Sequence, residues 1–239
     1  SSMPINLTAK SLLRLFTALA LISTPLLANK ITIVQGDTEN RAEKTAAAEL
    51  QRFLQAAYPD DSFSIEEQIP QSGKYILLGT HKSQPEISDH INKEALNATG
   101  SYIVKNTEDS NVGIIAGNHS RAVLDGVYAL LEQLGYAFYL EHNIHPDPIT
   151  IPFSFNQWNL RDTPIVEERF ILNWHNFLSG CTGWNLEHYR KWIRQASRMG
   201  YNSIMLHLYG NNPAFQYTHN GETKDVGYMA ATHKRPEKG

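Results

Sequence analysis

The sequence predicts an α/β fold in two parts, and three observations support this. Short β-branched segments alternate with helical patterns from Lys30 onward. The segment 120–134 carries its apolar residues on a single helical stripe. A polar stretch with Pro146, Pro148 and Pro152 then precedes a strand, a helix and a second strand. We therefore predict a small α/β sandwich over 29–145, a linker over 146–164 and a second domain over 165–239.

The N-terminus has the pattern of a secretory signal. Lys10 and Arg14 precede an apolar run from Leu15 to Leu27, and the small residue Ala28 follows it. The run is shorter than the roughly 20 apolar residues of a spanning helix. We predict a secretory signal peptide over 1–28, a secreted or periplasmic protein, and no membrane partner after the signal is removed. The alternative interpretation is a buried core helix.

The first half of the sandwich begins with a strand over 31–34, closed by Gly36. Apolar residues at helical spacing predict a helix over 39–57, which Pro59 ends. Alternation predicts a half-buried strand over 62–67, and a further strand follows over 75–78.

The second half begins with strands over 102–104 and 112–115, which form a hairpin around a polar turn. Ser120 is predicted to cap the next helix, and Gly135 to end it. A short strand follows over 137–140. This order of elements predicts a sheet with two helices on one face.

The second domain begins with a mostly apolar strand over 168–174. Asn185 is predicted to cap a helix that runs to Met199, and a buried strand follows over 203–208. Strand, helix and strand at this spacing predict a βαβ unit with parallel strands. The helix residues expected to face inward are Leu186, Tyr189, Ile193, Ala196 and Met199.

Composition excludes several classes of function. A net charge of −3 gives no basic field, so nucleic acid is not an expected partner. The single cysteine, Cys181, excludes an intramolecular disulfide framework, and no neighbouring base marks it as a nucleophile. His175, His207 and His219 match no metal-binding spacing, and therefore neither a metal nor another cofactor is expected.

Several segments of this chain resemble known glycoside hydrolases. The likeness is to the accessory domain and first barrel elements of family 20 β-N-acetylhexosaminidases, family 67 α-glucuronidases and uncharacterised bacterial relatives. Asn173–Asn176 is similar to the α-glucuronidases in particular. The segments that carry the resemblance are Ala46–Leu50, Ile76–Gly79, Gly100–Val104, Gly113–Gly117, Ala122–Tyr139, Glu168–His175 and Trp192–His207.

The resemblance implies a secreted, exo-acting glycoside hydrolase with a (β/α)₈ (TIM) barrel after the sandwich. Such a barrel needs roughly 250 residues, and only about 75 remain after residue 164. The chain is therefore expected to hold the first two βα units of an incomplete barrel. In these families the catalytic carboxylates come from later strands, so no catalytic residue is assigned, and this fragment is expected to be inactive alone.

Substrate-binding residues are expected where the first two barrel strands end. Aromatic rings stack on sugars, and Asn, His and Tyr side chains bond to hydroxyls. The alternative is that Trp174 and His207 pack the top layer of the barrel. The residues assigned to carbohydrate binding on this basis are Trp174, His175 and Asn176 after the first strand, and His207, Tyr209 and Asn211 after the second.

Arg169 is a further candidate, because it resembles the arginine that family 20 enzymes use to hold hydroxyls of the terminal sugar. Phe170 follows it where that family has a small residue, and a salt-bridged structural role is the alternative. The substrate stays open between an amino sugar and a uronic acid. A function from another class also stays open, namely a non-catalytic carbohydrate-binding or surface-interaction protein.

Overall fold

A computed structural model describes residues 28–36, 39–173, 175–176, 179–181, 184–206 and 211–228. Its largest feature is a six-stranded sheet. The strands are β1 Lys30–Gln35, β2 Ser62–Glu66, β3 Lys74–Gly79, β4 Tyr102–Asn106, β5 Val112–Gly117 and β8 Asn159–Asp162. They lie side by side in the order β2, β1, β3, β5, β4, β8.

Four neighbouring strands of this sheet run parallel. β1 pairs with β2 on one side and β3 on the other, and β3 pairs with β5. β4 runs antiparallel to β5, with Val104 opposite Ile115, and β8 runs antiparallel to β4. The predicted hairpin and the predicted α/β class are therefore confirmed.

Two long helices, α1 (Arg41–Ala57) and α2 (Ser120–Gln133), cover one face of the sheet. The Asn40 side chain caps α1 by accepting the backbone N–H of Ala42 at 2.8 Å. The predicted cap of α2 is wrong. His119 has the extended backbone of a cap and accepts the backbone N–H of Ala122 on Nδ1, while Ser120 is the first helical residue.

The core lies on both faces of the sheet. On the helical face, Ile33, Ile76 and Ile115 pack against α1 and α2. On the other face, Leu77 and Ile114 pack against two 3₁₀ segments, Pro85–Asp89 and Lys93–Leu96. Both faces are thus removed from water, as the continuous apolar runs of β3 and β5 require.

The stretch 146–164, predicted to be a linker, contributes to the packed sandwich. Phe153, Phe155 and Trp158 are each at most 3% exposed. The rings of Phe155 and Trp158 meet edge to face at 4.8 Å. Because β8 also pairs within the sheet, the sandwich extends to Asp162. The prolines of this stretch are typical of a linker, but its aromatic residues pack into the core.

A short hairpin and the second unit complete the described chain. The hairpin consists of β6 (Ala137–Phe138), shorter than predicted, and β7 (Asn143–Ile144). The second unit contains β9 (Phe170–Asn173), α3 (Leu186–Arg198) and β12 (Ser203–Leu206), and its strands are parallel as predicted. The remaining elements are the hairpin of β10 (His175–Asn176) with β11 (Ser179–Gly180) and the hairpin of β13 (Asn211–His219) with β14 (Glu222–Tyr228), which the sequence did not predict.

The buried side of α3 matches the predicted one only in part. Asn185 caps the helix as predicted, in a reciprocal capping box with His188. Of the residues expected to face inward, Leu186, Ile193 and Met199 are 63%, 42% and 38% exposed. Ala196 is buried as predicted and Tyr189 is half-buried, and the other buried residues are Trp192, Gln195 and Arg198. The polar members of this set bond to the sandwich, which hydrophobic periodicity does not detect.

Both strands of the second unit carry apolar side chains that are half-exposed to solvent. Phe170 and Leu172 of β9 are 49% and 43% exposed, and Ile204 and Met205 of β12 are 39% and 48% exposed. Exposed apolar side chains grouped on two neighbouring strands are typical of a surface that another element covers.

We predict that Phe155→Ala destabilises the sandwich by about 3–5 kcal/mol, because it removes a fully buried ring from the core. The free energy of unfolding, measured by denaturant titration, provides the test. Phe170→Ala, which truncates a half-exposed ring, is the matched control and should cost much less. Equal losses for the two variants would contradict the assignment of 146–162 to the sandwich.

Candidate substrate-binding edge and its support

The ends of β9 and β12 define the candidate site. The two strands are parallel and in register, with Phe170 opposite Ser203 and Asn173 opposite Leu206. The residues that follow each strand therefore start from the same edge of this two-stranded sheet. This is the edge at which α/β proteins collect their functional side chains.

The predicted sugar-binding residues follow these two strand ends. His175 and Asn176 form β10, whose backbone pairs with Gly180 and Ser179. Asn211 begins β13. Trp174, His207 and Tyr209 lie outside the described residues. Of these residues, the structure therefore places only His175 and Asn176 close after the end of β9, and contact of any of them with a sugar stays a prediction.

Asn173, the last residue of β9, was not singled out as a site residue. Its side-chain Nδ2 is buried and has no hydrogen-bond partner. Its backbone carbonyl accepts from the Cys181 thiol at 3.7 Å. A buried amide donor without a partner is costly, and Asn173 carries such a donor at this edge. An asparagine at the end of an apolar strand was the signal in the sequence.

Cys181 is packed beneath this edge and is 2% exposed. Burial raises the pKa of its thiol, which disfavours the nucleophilic thiolate. The Tyr189 hydroxyl donates to its backbone carbonyl at 3.3 Å. These contacts indicate that Cys181 has a packing role.

Arg169 lies at the opposite end of β9 from the predicted sugar-binding group. Its Nε donates to the carbonyl of Gly200 at 2.6 Å, and its Nη2 lies 2.9 Å from Oδ2 of Asp125 in α2. Its backbone N–H donates to the Asn202 side chain at 2.8 Å. This is the arrangement expected of the salt-bridged structural alternative. A sugar contact by Arg169 stays a prediction.

A buried ion pair joins the sandwich to α3. Arg198 of α3 bonds to both carboxylate oxygens of Glu49 in α1, at 2.8 and 3.1 Å, and their side chains are only 5% and 12% exposed. Tyr128 of α2 and Arg52 also donate to Glu49, at 3.3 and 3.0 Å. Burial and the charge of Glu49 raise the pKa of Tyr128 above its usual value, so its hydroxyl keeps its proton. Each oxygen of the buried carboxylate therefore has donors.

A second charged cluster, on α2, also contacts the unit formed by β9, α3 and β12. Asp125 pairs with Arg169 and with Arg121, the latter at 2.7 Å. Arg121 also donates to the side chain and the carbonyl of Ser197 in α3, at 2.7 and 2.9 Å. The sandwich thus holds both the helix and the first strand of the second unit through charge-assisted hydrogen bonds.

A cavity of about 640 Å³ lies between the sandwich and the second unit. Tyr102, Glu132, Pro164 and Met199 are among its lining residues. Burial raises the pKa of Glu132, and burial together with Asp162 raises the pKa of Tyr102 to about 12. The cavity borders the start of β9, away from the predicted sugar-binding edge.

Two further properties concern only the part of the chain that the structure describes. Its His, Cys, Asp and Glu side chains form no group of three that could hold a metal ion. No helix in it combines the length and apolar character needed to cross a membrane.

Comparison with known proteins places this fold among carbohydrate-active enzymes. The family model described as "Glycosyl hydrolase family 67 N-terminus" matches residues 25–130. The match runs from before β1 into α2 and so covers most of the sandwich. Among curated proteins, the sequence has no match.

Solved structures share the fold at low sequence identity. One is CpGH84D, at 12% identity, with a TM-score of 0.51 over 74% of this chain and 27% of that one. Another is BtGH115A, a family GH115 4-O-methyl-α-glucuronidase with specificity for decorated arabinogalactans, at 17% identity and a TM-score of 0.55 over 77% and 26%. This chain therefore spans about a quarter of their length. Family match and fold together confirm the resemblance: the chain is related to glycoside hydrolases.

We predict that Arg198→Ala destabilises the chain by about 3–5 kcal/mol, because it leaves Glu49 buried without its main partner. Arg190→Ala is the matched control, since its pair with Glu187 on the same helix is exposed and contributes little. Thermal unfolding of the two variants provides the comparison. A similar small shift for both would show that the buried pair does not hold α3 in place.

Proposed function

We propose that this chain is the N-terminal part of a secreted glycoside hydrolase, in which the α/β sandwich is followed by the first two βα units of a TIM barrel. The family match to residues 25–130 supports the enzyme class. The parallel pairing of β9 with β12 through α3 supports the beginning of a barrel. The half-exposed apolar residues of both strands are the positions that further barrel elements would cover.

The proposed substrate is an α-glucuronosyl group carried by a polysaccharide or glycan, cleaved in an exo manner. Two findings favour a uronic acid over an amino sugar. The matching family description is that of family 67, the α-glucuronidase family that the sequence resembles. One structure that shares the fold bears the name 4-O-methyl-α-glucuronidase.

The observation that carries the proposal is the register of the two strands, with Asn173 opposite Leu206. Because of this register, the segments 174–176 and 207–211 both follow strand ends that lie at the same edge of the two-stranded sheet. In the proposed site, Trp174 stacks on the sugar ring, and His175 and the other polar residues bond to its hydroxyls or carboxylate. The carboxyl groups that hydrolysis needs come from later strands. Residues 1–239 alone are accordingly proposed to be inactive.

Export is part of the proposal. The basic residues, the apolar run and Ala28 give residues 1–28 the pattern of a secretory signal. The expected location is extracellular or periplasmic.

The test uses the whole natural protein that contains these residues, expressed from its gene. Oligosaccharides with α-linked 4-O-methylglucuronic acid and aryl N-acetyl-β-hexosaminides are assayed side by side for sugar release. Release of the uronic acid alone supports the proposal. Release of the amino sugar alone contradicts the substrate assignment, and polysaccharide binding without hydrolysis of any substrate supports the non-catalytic alternative.

In that enzyme, Trp174→Ala is predicted to raise KM about tenfold, which corresponds to loss of roughly 1.4 kcal/mol of stacking. His175→Ala is predicted to raise KM in the same direction through a lost hydrogen bond. His90→Ala, which truncates an exposed side chain in the sandwich, is the control. Steady-state kinetics that are unchanged in both site variants would remove these residues from the site.

A further inference from the structure

Asp61 accepts two backbone hydrogen bonds at the start of the sheet. Oδ1 accepts the N–H of Asn29 at 2.6 Å, and Oδ2 accepts the N–H of Phe153 at 2.8 Å. Asp61 is only 6% exposed. Across the described residues, no lysine, arginine or histidine forms an ion pair with it. A buried carboxylate that accepts only neutral donors lacks the positive partner that usually accompanies it.

Asn29 is held in position by the fold around it. Its carbonyl accepts the backbone N–H of Ser62 at 2.9 Å, and its side chain donates to the carbonyl of Phe153 at 3.4 Å. Lys74 donates to that same carbonyl at 2.7 Å. The nitrogen of Asn29 is therefore fixed beside Asp61 by contacts that do not involve the residues before it.

The residue before Asn29 lies at the surface. Ala28 is exposed and lines a cavity of about 360 Å³, together with Tyr58, Asp60, Asp61 and residues 149–152. Ala28 is also the small residue that ends the pattern of a secretory signal. Ala28, which is both exposed and the small residue of the signal pattern, therefore directly precedes the nitrogen that donates to the buried Asp61.

We propose that the Ala28–Asn29 peptide bond is a processing site, and that the amino group it releases forms a buried ion pair with Asp61. The inference rests on the export that forms part of the proposed function. A signal peptidase hydrolyses the bond: water supplies a hydroxyl to the Ala28 carbonyl carbon, the C–N bond breaks, and protonation of the Asn29 nitrogen completes an α-ammonium group. An α-amino group has a pKa of about 7.7–8.0, so at neutral pH it is mostly charged.

Processing thus converts a neutral donor into a cation at the same position. The N–H that donates to Oδ1 at 2.6 Å becomes part of an ammonium group, next to the cavity that Ala28 and Asp61 line. Charge-assisted hydrogen bonds are roughly twice as strong as neutral ones. The mature chain is therefore more stable than the precursor at this point, which joins β1 to the segment that carries Phe153.

None of the described charged groups near Asp61 already supplies the positive partner that we assign to the α-ammonium of Asn29. Asp60 and Lys30 are exposed. Tyr58 keeps its proton, because burial and the charge of Asp61 raise its pKa. Lys74 donates to the Phe153 carbonyl and forms no described ion pair with Asp61. The new α-ammonium is the cation best placed for this carboxylate.

The first experiment compares chains that differ only in where they start. One begins at Asn29 and the other at Leu26, each released from a cleavable fusion that leaves no extra residue. Asp61→Asn is introduced into both, and Asp60→Asn is the matched control. We expect Asp61→Asn to lower the Tm of the Asn29 chain by roughly 3–6 °C more than that of the Leu26 chain. Equal shifts in the two chains would overturn the ion pair.

Two further measurements keep the proposal testable if Asp61→Asn fails to fold. The α-amino pKa of the unsubstituted Asn29 chain, measured by NMR, should lie above about 8, and an unshifted value overturns the pair. The intact mass of the exported protein should correspond to a start at Asn29. A cut elsewhere, or retention of residues 1–28, overturns the processing site. Neither result affects the glycosidase assay, so the two proposals fail separately.

Discussion

The arrangement of the two parts of this protein depends on the buried ion pair between Glu49 and Arg198. Removing both charges from water costs several kcal/mol per ion, and only close pairing with additional hydrogen bonds offsets that cost. The structure meets the condition, since Arg198 contacts both oxygens of Glu49, and Tyr128 donates a further bond. The position of α3 on the sandwich follows from this geometry, because a shifted helix would leave an unpaired buried charge.

The second charged cluster extends that constraint to the strands. Asp125 anchors Arg169, and Arg169 in turn bonds to Gly200 and to the side chain of Asn202, so the starts of β9 and β12 are tied to each other and to α2. Each strand has four residues, about 13 Å in length, between this anchor and the predicted sugar-binding edge. The sandwich therefore holds the starts of both strands in place and so sets where the edge lies.

Hydrophobic periodicity was sufficient to predict the elements whose partners are apolar. The stripe of α2, the β4–β5 hairpin and the parallel β9–β12 pair all followed from spacing. It failed where polar groups decide the packing. The buried side of α3 is set by Arg198, whose partner Glu49 lies 149 residues earlier, and no local pattern reports such a pair. Phe153 and Trp158 were missed for a different reason, since prolines next to them indicated a linker.

For the candidate site, the sequence predicted that the ends of the two strands would lie at one edge, but it did not predict the polar contacts that hold the strands in place. Arg169 shows the difference: the same residue was open to a sugar-binding and a structural role, and its contacts with Asp125 and Gly200 are those of the structural one.

Native-state hydrogen exchange tests the central claim that the buried charges join α3 to the sandwich. Amides of α3 should open with the same free energy as those of α1 and α2, because the helices form one cooperative unit. Fast exchange in α3 while α1 and α2 remain protected would contradict the account.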